Sequence, residues 1–243
     1  ITAHGSRMYS HAFATLFLAE VYGMAHRPDL REKLERACEV IVRSQSEQGG
    51  WRYLPYDRDT DMSVTVCQVQ ALRAARNRGI AVPKGTIDRA VEYVRRSQVL
   101  DVPAHMAWQA GGFKYQPLSA FDRYNRITPA LTGAGLTALF GAGVYEGPEI
   151  DRAVGYLERP QNFLETGDPF PYDYFYGNYY VGQAMFQVGG DRWRAWYARV
   201  RDEIVSRQRP DGTWIDTISL DYATAMACLI LEMPYRYLPI LQR

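Results

Sequence analysis

Two copies of one short segment constrain the fold of this chain more than any other feature. "QSEQGGW" at 45–51 and "QRPDGTW" at 208–214 each place a glutamine six positions before a tryptophan, with glycine one or two positions before that ring. Glutamine caps backbone groups at a helix end, glycine permits a tight reversal, and tryptophan packs over a joint while keeping a hydrogen-bond donor. The candidate corner residues are Gln45, Gly50, Trp51, Gln208, Gly212 and Trp214.

Helices of two kinds alternate around these corners. Apolar, small-residue helices are predicted at 14–23, 66–79, 131–143, 181–190 and 223–233. Charged helices are predicted between them, at 29–45, 86–98, 148–159 and 191–208. In the charged helices, apolar residues recur at i, i+3, i+4 and i+7, so one face packs and the other faces water. The pattern predicts an all-α array of four to five hairpins, with buried inner helices and amphipathic outer ones.

A third, looser corner is predicted further along the chain. "SQ" at 97–98 is followed by "GGFKY" at 111–115, where Phe113 takes the place of the tryptophan, so that 99–110 is an insertion. The stretch 99–126 is long for a loop in a compact domain. Such length is typical of lids, binding segments or surface elaborations used in assembly.

Composition excludes several classes of partner. The 243 residues carry 28 basic and 27 acidic side chains without a basic stripe, so a nucleic-acid partner is not expected. No apolar run approaches the roughly 18–20 residues of a transmembrane helix, and no signal peptide is visible, so we expect a soluble chain whose compartment the sequence leaves open. Cys38, Cys67 and Cys228 lie in apolar helical runs without CxxC spacing, which predicts buried thiols.

With its Q-x(3)-G-x-W corners between alternating helices, the chain resembles the prenyltransferase and squalene-oxidase repeat family. That family includes squalene-hopene cyclases, oxidosqualene cyclases and protein prenyltransferase β subunits. Segment 61–80 resembles the inner helix that follows such a corner, and 174–214 and 222–240 resemble the C-terminal repeats of cyclase-like bacterial proteins.

The resemblance implies an (α/α) toroid, in which the N-terminal ends of the inner helices point into a central apolar cavity. A complete toroid of this family has six hairpins. Residues 1–243 are therefore expected to form a single, incomplete toroid domain that is the C-terminal part of a longer chain.

The acid motif of the cyclases is only partly matched. Squalene-hopene cyclases protonate an alkene with a DxDD motif, and the matching region here is "DRDTDMSVT" at 57–65, where Met62 follows Asp61. At the N-terminal end of an inner helix, the helix dipole favours the charged form of Asp61, which makes it a poor general acid. Asp61 and Asp59 are candidates both as helix caps, which the pattern favours, and as catalytic acids.

The zinc ligands of the prenyltransferases are not matched. In that family, Asp, Cys and His bind the metal. Alignment at Asp61 and Gln68 puts Ser63 at the cysteine position and Tyr222 and Ala223 near the histidine position. Because zinc sites need thiolate or imidazole ligands, neither a metal nor any other cofactor is expected.

Aromatic residues offer a second set of candidates. Cyclases of this family line their cavities with aromatic rings, whose faces stabilise carbocations as in cation–π contacts. The segment "YDYFYGNYYVG" at 172–182 is rich in such rings, although some of them are equally expected to pack between helices. His11, near the start of the first inner helix, is either part of the cavity wall or a hydrogen-bonded structural residue. The candidate cavity residues are Tyr172, Tyr174, Tyr176, Tyr179, Tyr180, Tyr9, His11 and Tyr222.

These observations predict a squalene-cyclase-like repeat domain that binds a hydrophobic, isoprenoid-like ligand in an aromatic-lined central cavity, without an intact cyclase or zinc motif. One alternative is a non-catalytic helical scaffold for a protein partner or for another part of a longer chain. Another is a glycoside-active (α/α) toroid, which needs paired carboxylates from a set such as Asp59, Asp61, Asp173 and Asp221. A closed apolar cavity would favour the ligand-binding function. A filled centre with an exposed apolar face would favour the scaffold, and an open acidic cleft would favour the glycosidase.

Overall fold

The computed structural model describes residues 7–25, 27–117, 126–159, 174–237 and 240. Within these ranges the chain forms nine α-helices, and β-structure is confined to isolated bridges. The helices are α1 (Arg7–Tyr22), α2 (Leu30–Arg43), α3 (Met62–Asn77), α4 (Lys84–Ser97), α5 (Pro129–Gly141), α6 (Pro148–Leu157), α7 (Tyr174–Val188), α8 (Gly190–Ser206) and α9 (Leu220–Glu232).

The odd-numbered helices form an inner layer and the even-numbered helices an outer layer. Along the inner layer α1 packs on α3, α3 on α5, α5 on α7 and α7 on α9. Outer helices pack over these joints; for example, α2 contacts α1 and α3, and α4 contacts α3 and α5. This arrangement confirms the predicted all-α toroid-type fold of alternating inner and outer helices. None of the described helices is long and apolar enough to cross a membrane.

Burial in the inner layer depends on position in the array. Every residue of α5 between 130 and 140 is buried, as is every residue of α3 between 62 and 72. The two end helices differ, because Phe13 and Phe17 on α1 and Cys228 on α9 are exposed. The prediction of three buried thiols is therefore wrong for Cys228. Its helix, α9, is the last described α-helix, and no described helix covers that face.

The outer helices follow the amphipathic pattern of their sequences. In α2 the buried side chains are Leu30, Leu34, Cys38 and Ile41, which lie on one face at helical spacing. The opposite face carries ion pairs between exposed side chains four residues apart, such as Arg31 with Glu35. Because such exposed pairs contribute only about 0.3–0.5 kcal/mol each, apolar burial holds the outer layer in place.

Both tryptophan corners contain the same hydrogen bonds. The indole Nε1–H of Trp51 donates to Ile41 O at 2.8 Å, near the end of α2, and its backbone N–H donates to Thr65 Oγ1 at 3.1 Å, in α3. In the second corner the corresponding bonds join Trp214 to Ile204 O (2.7 Å) and Thr224 Oγ1 (3.2 Å). Each tryptophan thus ties the last turn of an outer helix to the first turns of the next inner helix.

The third corner lacks a tryptophan but keeps this geometry. Phe113 is fully buried, and its backbone N–H donates to Thr132 Oγ1 at 3.2 Å, in α5. The insertion before it contains a 3₁₀ helix, Ala104–Gln109, and a bridge pairs Gln98 with Phe113. Residues 118–125 of the predicted lid segment lie outside the described residues.

Candidate functional site

The candidate site is built on the first turn of α3. Asp61 is the N-cap of this helix, and its Oδ1 accepts hydrogen bonds from Val64 N–H at 2.8 Å and from the Ser63 hydroxyl at 2.6 Å. Thr128 has the same place before α5, where its hydroxyl accepts from Leu131 N–H. A side-chain oxygen here satisfies an N–H group that has no partner within the helix. The repeat therefore needs a capping group at this point, and before α3 that group is a carboxyl.

Arg52 pairs with the second oxygen of this carboxyl. Its Nη1 donates to Asp61 Oδ2 at 2.7 Å and to Tyr115 Oη at 3.0 Å, and its guanidinium lies over the Tyr53 ring, 4.3 Å from the centroid. The hydroxyls of Tyr53 and Tyr115 are hydrogen-bonded to each other at 2.6 Å. Asp61 is fully buried, whereas Arg52 keeps a small exposed fraction. One guanidinium and two phenols thus lie between the buried carboxyl and solvent.

Burial and pairing have opposite effects on this carboxyl. Burial raises the pKa of Asp61 above its ordinary value, while hydrogen bonds from Ser63 and Val64 and the charge of Arg52 lower it. Burial also acts to lower the pKa of Arg52, but the charge of Asp61 and the interactions with Tyr115 together outweigh this effect, so that pKa is raised and the guanidinium stays charged. Burial is the largest of these effects, so the pKa of Asp61 is raised on balance, while three donors hold its two oxygens in place.

Tyrosines of α7 lie beside this carboxyl. The ring of Tyr180 packs edge-on against Tyr176 and Tyr179, with centroids 4.8 Å and 4.9 Å away. Its hydroxyl contacts Cys67 Sγ at 3.1 Å, and the Tyr176 hydroxyl donates to Ser63 O at 3.4 Å. Two of the predicted cavity residues, Tyr176 and Tyr180, therefore contact the helix that Asp61 caps, and Tyr179 packs behind them.

Tyr9 approaches the same place from α1. Its hydroxyl interacts with the Ser63 side chain, and its ring stacks on Tyr53 with 6.1 Å between centroids. Burial raises the pKa of Tyr9, Tyr176 and Tyr180, so all three are neutral phenols at physiological pH. Tyr9 and Tyr176 are half-buried, in contrast to the fully buried Tyr180. Together with Tyr53, these two are the less buried rings of the cluster.

Two other predicted site residues contact the outer layer. His11 donates from Nε2 to Ala37 O at 2.9 Å, a structural contact that joins α1 to α2. Tyr174 is buried at the start of α7, where the guanidinium of Arg207 lies 4.4 Å from its ring centroid. Both side chains tie an inner helix to an outer helix.

Of the remaining candidates, the structure describes Tyr222 and Asp59. Tyr222 is half-buried in the first turn of α9, and its backbone N–H donates to the capping hydroxyl of Ser219. Asp59 is exposed. Tyr172 lies outside the described residues.

Arg52, Tyr53 and Tyr115 belong to the site but were not predicted from the sequence. The repeated corner sequence could have identified the two tyrosines, since "GGWRY" at 49–53 and "GGFKY" at 111–115 both end in tyrosine at the same position of the corner. Adjacent repeats of such an array place equivalent residues side by side. The hydrogen bond between the two hydroxyls is the result.

A small cavity lies at the opposite, C-terminal ends of the inner helices. It measures about 20 Å³, and Gln70, Gln183 and Thr137 are among its lining residues. Gln70 Nε2 donates to Gln183 Oε1 at 2.5 Å, while Gln70 Oε1 and Gln183 Nε2 have no hydrogen-bond partner among the described residues. This volume suits about one water molecule and is far below the roughly 300 Å³ of the smallest usual ligand pockets.

Comparison with known proteins gives a likeness of fold. No protein-family model and no curated protein matches the sequence. A protein from Actinoplanes superposes with a TM-score of 0.61 at 17% sequence identity, over 90% of this chain and 64% of its own. A variant of the type II terpene cyclase MstE from Scytonema, solved with its substrate geranylgeranyl dihydroxybenzoate, superposes with a TM-score of 0.60 at 14% identity, over 97% of this chain and 65% of its own.

The fold is terpene-cyclase-like. This chain spans less than two thirds of the length of either of those proteins, 64% and 65%. At identities of 17% and 14%, the likeness establishes the helical architecture but not the reaction or the ligand.

Proposed function

We propose that this chain binds a hydrophobic, isoprenoid-type ligand at the N-terminal ends of its inner helices. The observation that carries the proposal is the pair of half-buried rings, Tyr9 and Tyr176, which both contact Ser63 beside the buried carboxyl of Asp61. The terpene-cyclase-like fold supports the ligand class, because MstE holds a geranylgeranyl substrate in the same architecture.

Accessibility decides which rings contact the ligand. Tyr179 and Tyr180 are buried against each other and serve as packing. Tyr9 and Tyr176 present accessible aromatic surface, which binds branched hydrocarbon by burial and by contact with the ring faces. The cavity beside Gln70 is excluded as the site, since its volume of about 20 Å³ is that of a water molecule.

The proposed activity is binding without proton donation by Asp61. An acid that protonates an alkene must be protonated and must reach the alkene carbon. Asp61 is fully buried, and its oxygens are occupied by Ser63, Val64 and Arg52. In the proposal Asp61 is therefore a helix cap, whose hydrogen bonds position Ser63 for contact with the rings.

Titration with geranylgeraniol, followed by native mass spectrometry and tyrosine fluorescence, tests the binding. We expect saturable binding that Tyr176→Ala weakens about tenfold, the equivalent of about 1.4 kcal/mol. Tyr145→Ala is the matched control, because Tyr145 follows the C-terminal end of α5 and stacks on Phe140 away from the site. A linear saturated alcohol of similar length tests whether binding is merely a response to hydrophobicity. Equal affinity of both variants, or equal affinity for both alcohols, would contradict the proposal.

Turnover is tested separately on the same preparation. Incubation with geranylgeraniol is expected to leave the alcohol unchanged when it is extracted and analysed by gas chromatography. A cyclised product that disappears in Asp61→Asn would show that Asp61 acts as an acid, and the non-catalytic part of the proposal would then be wrong.

A further inference from the structure

Each internal corner glutamine joins its own loop to the next outer helix. Gln45 Nε2 donates to Gly49 O at 2.8 Å, within the loop, and to Thr86 O at 2.9 Å, in the first turn of α4. In return, Arg89 of α4 donates from Nη2 to Gln45 Oε1. The side-chain amide is thus fully used, and the corner is fixed to an outer helix of the following repeat.

The third corner repeats these contacts with different residues. Gln98 Nε2 donates to Gly111 O at 3.1 Å and to Glu149 O at 2.8 Å, in the first turn of α6. Arg152 Nε donates to Gln98 Oε1 at 3.4 Å. In both outer helices the arginine comes three residues after the residue whose backbone carbonyl accepts the hydrogen bond from the corner glutamine. The docking of a corner on the next outer helix is therefore a repeated contact with a recognisable partner sequence.

Glycine makes this docking close. Gly49 and Gly111 have φ values of 94° and 90°, and a Cβ atom on either would overlap the backbone oxygen of the docked arginine, Arg89 or Arg152. The loop therefore lies directly against the helix backbone, where no other residue type fits.

The last corner has only half of these contacts among the described residues. Gln208 Nε2 donates to Gly212 O at 3.0 Å, which is the bond within the loop. Gly212 has a φ of 84°, the same backbone conformation as the other two glycines, but a Cβ atom there would meet no described atom within 4 Å. Gln208 itself is exposed. The corner has the conformation for docking, yet no described helix is docked on it.

Exposed apolar side chains flank this open corner in the sequence. The exposed fractions of Val205, Ile215 and Ile218 are 53%, 45% and 56%. Val42, which precedes its corner glutamine by three residues as Val205 does, is half-buried against the core. Side chains of this kind, clustered on a surface around a formed hydrogen-bonding site, mark an interaction surface.

The first outer helix carries the complementary face. Arg36 precedes Gln45 by nine residues, just as the docked arginine Arg89 precedes Gln98. By the same spacing, Lys33 is the residue of α2 that corresponds to Thr86 of α4. Among the described corners, those of Gln45 and Gln98 dock on α4 and α6, and none docks on α2. The Arg36 side chain is 66% exposed, with an ion pair of 3.6 Å to Glu32. This helix thus has the arginine of a docked helix without a docked corner.

We propose that the open corner of one copy of this chain docks on α2 of a second copy. In this contact Gln208 Nε2 donates to Lys33 O, Arg36 donates to Gln208 Oε1, and Gly212 lies against the α2 backbone. The two surfaces are different parts of the chain, so the contact is head-to-tail and leaves one open corner and one open α2 at the ends of a dimer. Longer assemblies grow from these ends, as a continuation of the array.

Sedimentation velocity over a wide range of protein concentrations tests the proposal. We expect concentration-dependent self-association that Gln208→Ala and Arg36→Ala each weaken about tenfold or more, because each removes hydrogen bonds that include a charged donor. Arg43→Ala is the matched control, since Arg43 is an exposed arginine at the other end of α2. Thermal unfolding of each variant establishes that it is folded.

Mixing the two weakened variants separates head-to-tail docking from other self-association. The Arg36→Ala chain keeps its corner, and the Gln208→Ala chain keeps its α2. Their mixture is therefore expected to form a dimer that does not grow, at concentrations where each variant alone is monomeric. A wild-type chain that stays monomeric at every concentration, or self-association that neither substitution changes, would overturn the proposal.

Discussion

The Arg52–Asp61 pair is the contact whose loss has the largest expected effect for a single residue. Asp61→Ala removes the α3 cap and leaves the charge of Arg52 without an anionic partner, in contact with the Tyr115 hydroxyl and the Tyr53 ring. Because an uncompensated charge in a buried place is strongly destabilising, we expect the free energy of unfolding to fall by about 3–5 kcal/mol. Asp61→Asn keeps the shape and a capping oxygen, so a smaller loss is expected. Urea unfolding of the three proteins measures both effects.

Asp59 provides the control for that series. It is an exposed aspartate two residues before Asp61, and Asp59→Ala is expected to change the stability by no more than about 0.5 kcal/mol. If alanine at both positions had the same effect, the buried pair would not be the stabilising contact described here.

The environment of His11 predicts that the free energy of unfolding depends on pH. Burial lowers the pKa of His11 below its ordinary value, and the hydrogen bond to Ala37 O opposes this shift. Since the pKa in the folded state is below that of the unfolded chain, the folded state binds the proton less tightly. The contribution of His11 to stability is therefore complete above about pH 6.5 and is lost as the pH falls through the folded pKa.

His11→Gln tests this, because an amide N–H can also donate to Ala37 O but does not titrate. Between about pH 7.5 and about pH 5, wild-type protein is expected to lose more stability than the variant, by up to about 1.4 kcal/mol for each unit of pKa shift. His105→Gln is the control, since His105 is exposed in the 3₁₀ helix Ala104–Gln109. Thermal unfolding at the two pH values measures the difference, and parallel pH profiles for wild type and His11→Gln would contradict it.

At the scale of helices and corners, alanine substitutions at two glycines distinguish the cost of backbone strain from the cost of disturbing a docked helix. Gly49 and Gly212 have similar positive φ values, 94° and 84°, but only Gly49 lies against an outer helix. Alanine in this conformation costs about 1–2 kcal/mol, which is the loss expected for Gly212→Ala. Gly49→Ala must also displace α4, and we expect a further loss of about 1–3 kcal/mol.

Chemical unfolding at dilute protein concentration measures this pair of variants without contributions from self-association. Losses of equal size would mean that the Gly49 corner tolerates a displaced helix, and that docking contributes little to the stability of the array.

The sequence predicted elements better than contacts. The alternation of apolar and amphipathic helices and the positions of Trp51 and Trp214 are local patterns, so they could be read directly. The site depends on pairs such as Tyr53 with Tyr115, which are 62 residues apart and whose meeting is set by how repeats stack. The exposure of Cys228 was missed for the same reason, because an apolar helical run does not reveal whether another helix covers it.

At the scale of the whole molecule, the described helices form an array that is more covered in its middle than at α1 and α9. In a stacked array each helix is stabilised by its neighbours, so local opening is expected to be easier at an end than in the middle. Nearly all of α5 is buried between two neighbouring inner helices, whereas α9 packs on one inner helix, α7, and exposes Cys228 and Leu220. Stability is therefore expected to fall from α5 towards α9.

Hydrogen exchange measured by mass spectrometry tests this gradient and connects it to the docking of a second copy. At dilute concentration, amides of α3 and α5 are expected to exchange at least about tenfold more slowly than those of α9, which corresponds to about 1.4 kcal/mol of local stability. At high concentration, docking on the open corner is expected to slow exchange in 205–222 and in the first turns of α2, and to leave α5 unchanged. The Gln208→Ala chain should keep the gradient and lose the concentration dependence, because the substitution removes the intermolecular contact and leaves the inner layer intact. Uniform protection from α3 to α9 would contradict the gradient, and equal concentration dependence in wild type and Gln208→Ala would show that the corner is not the docking site.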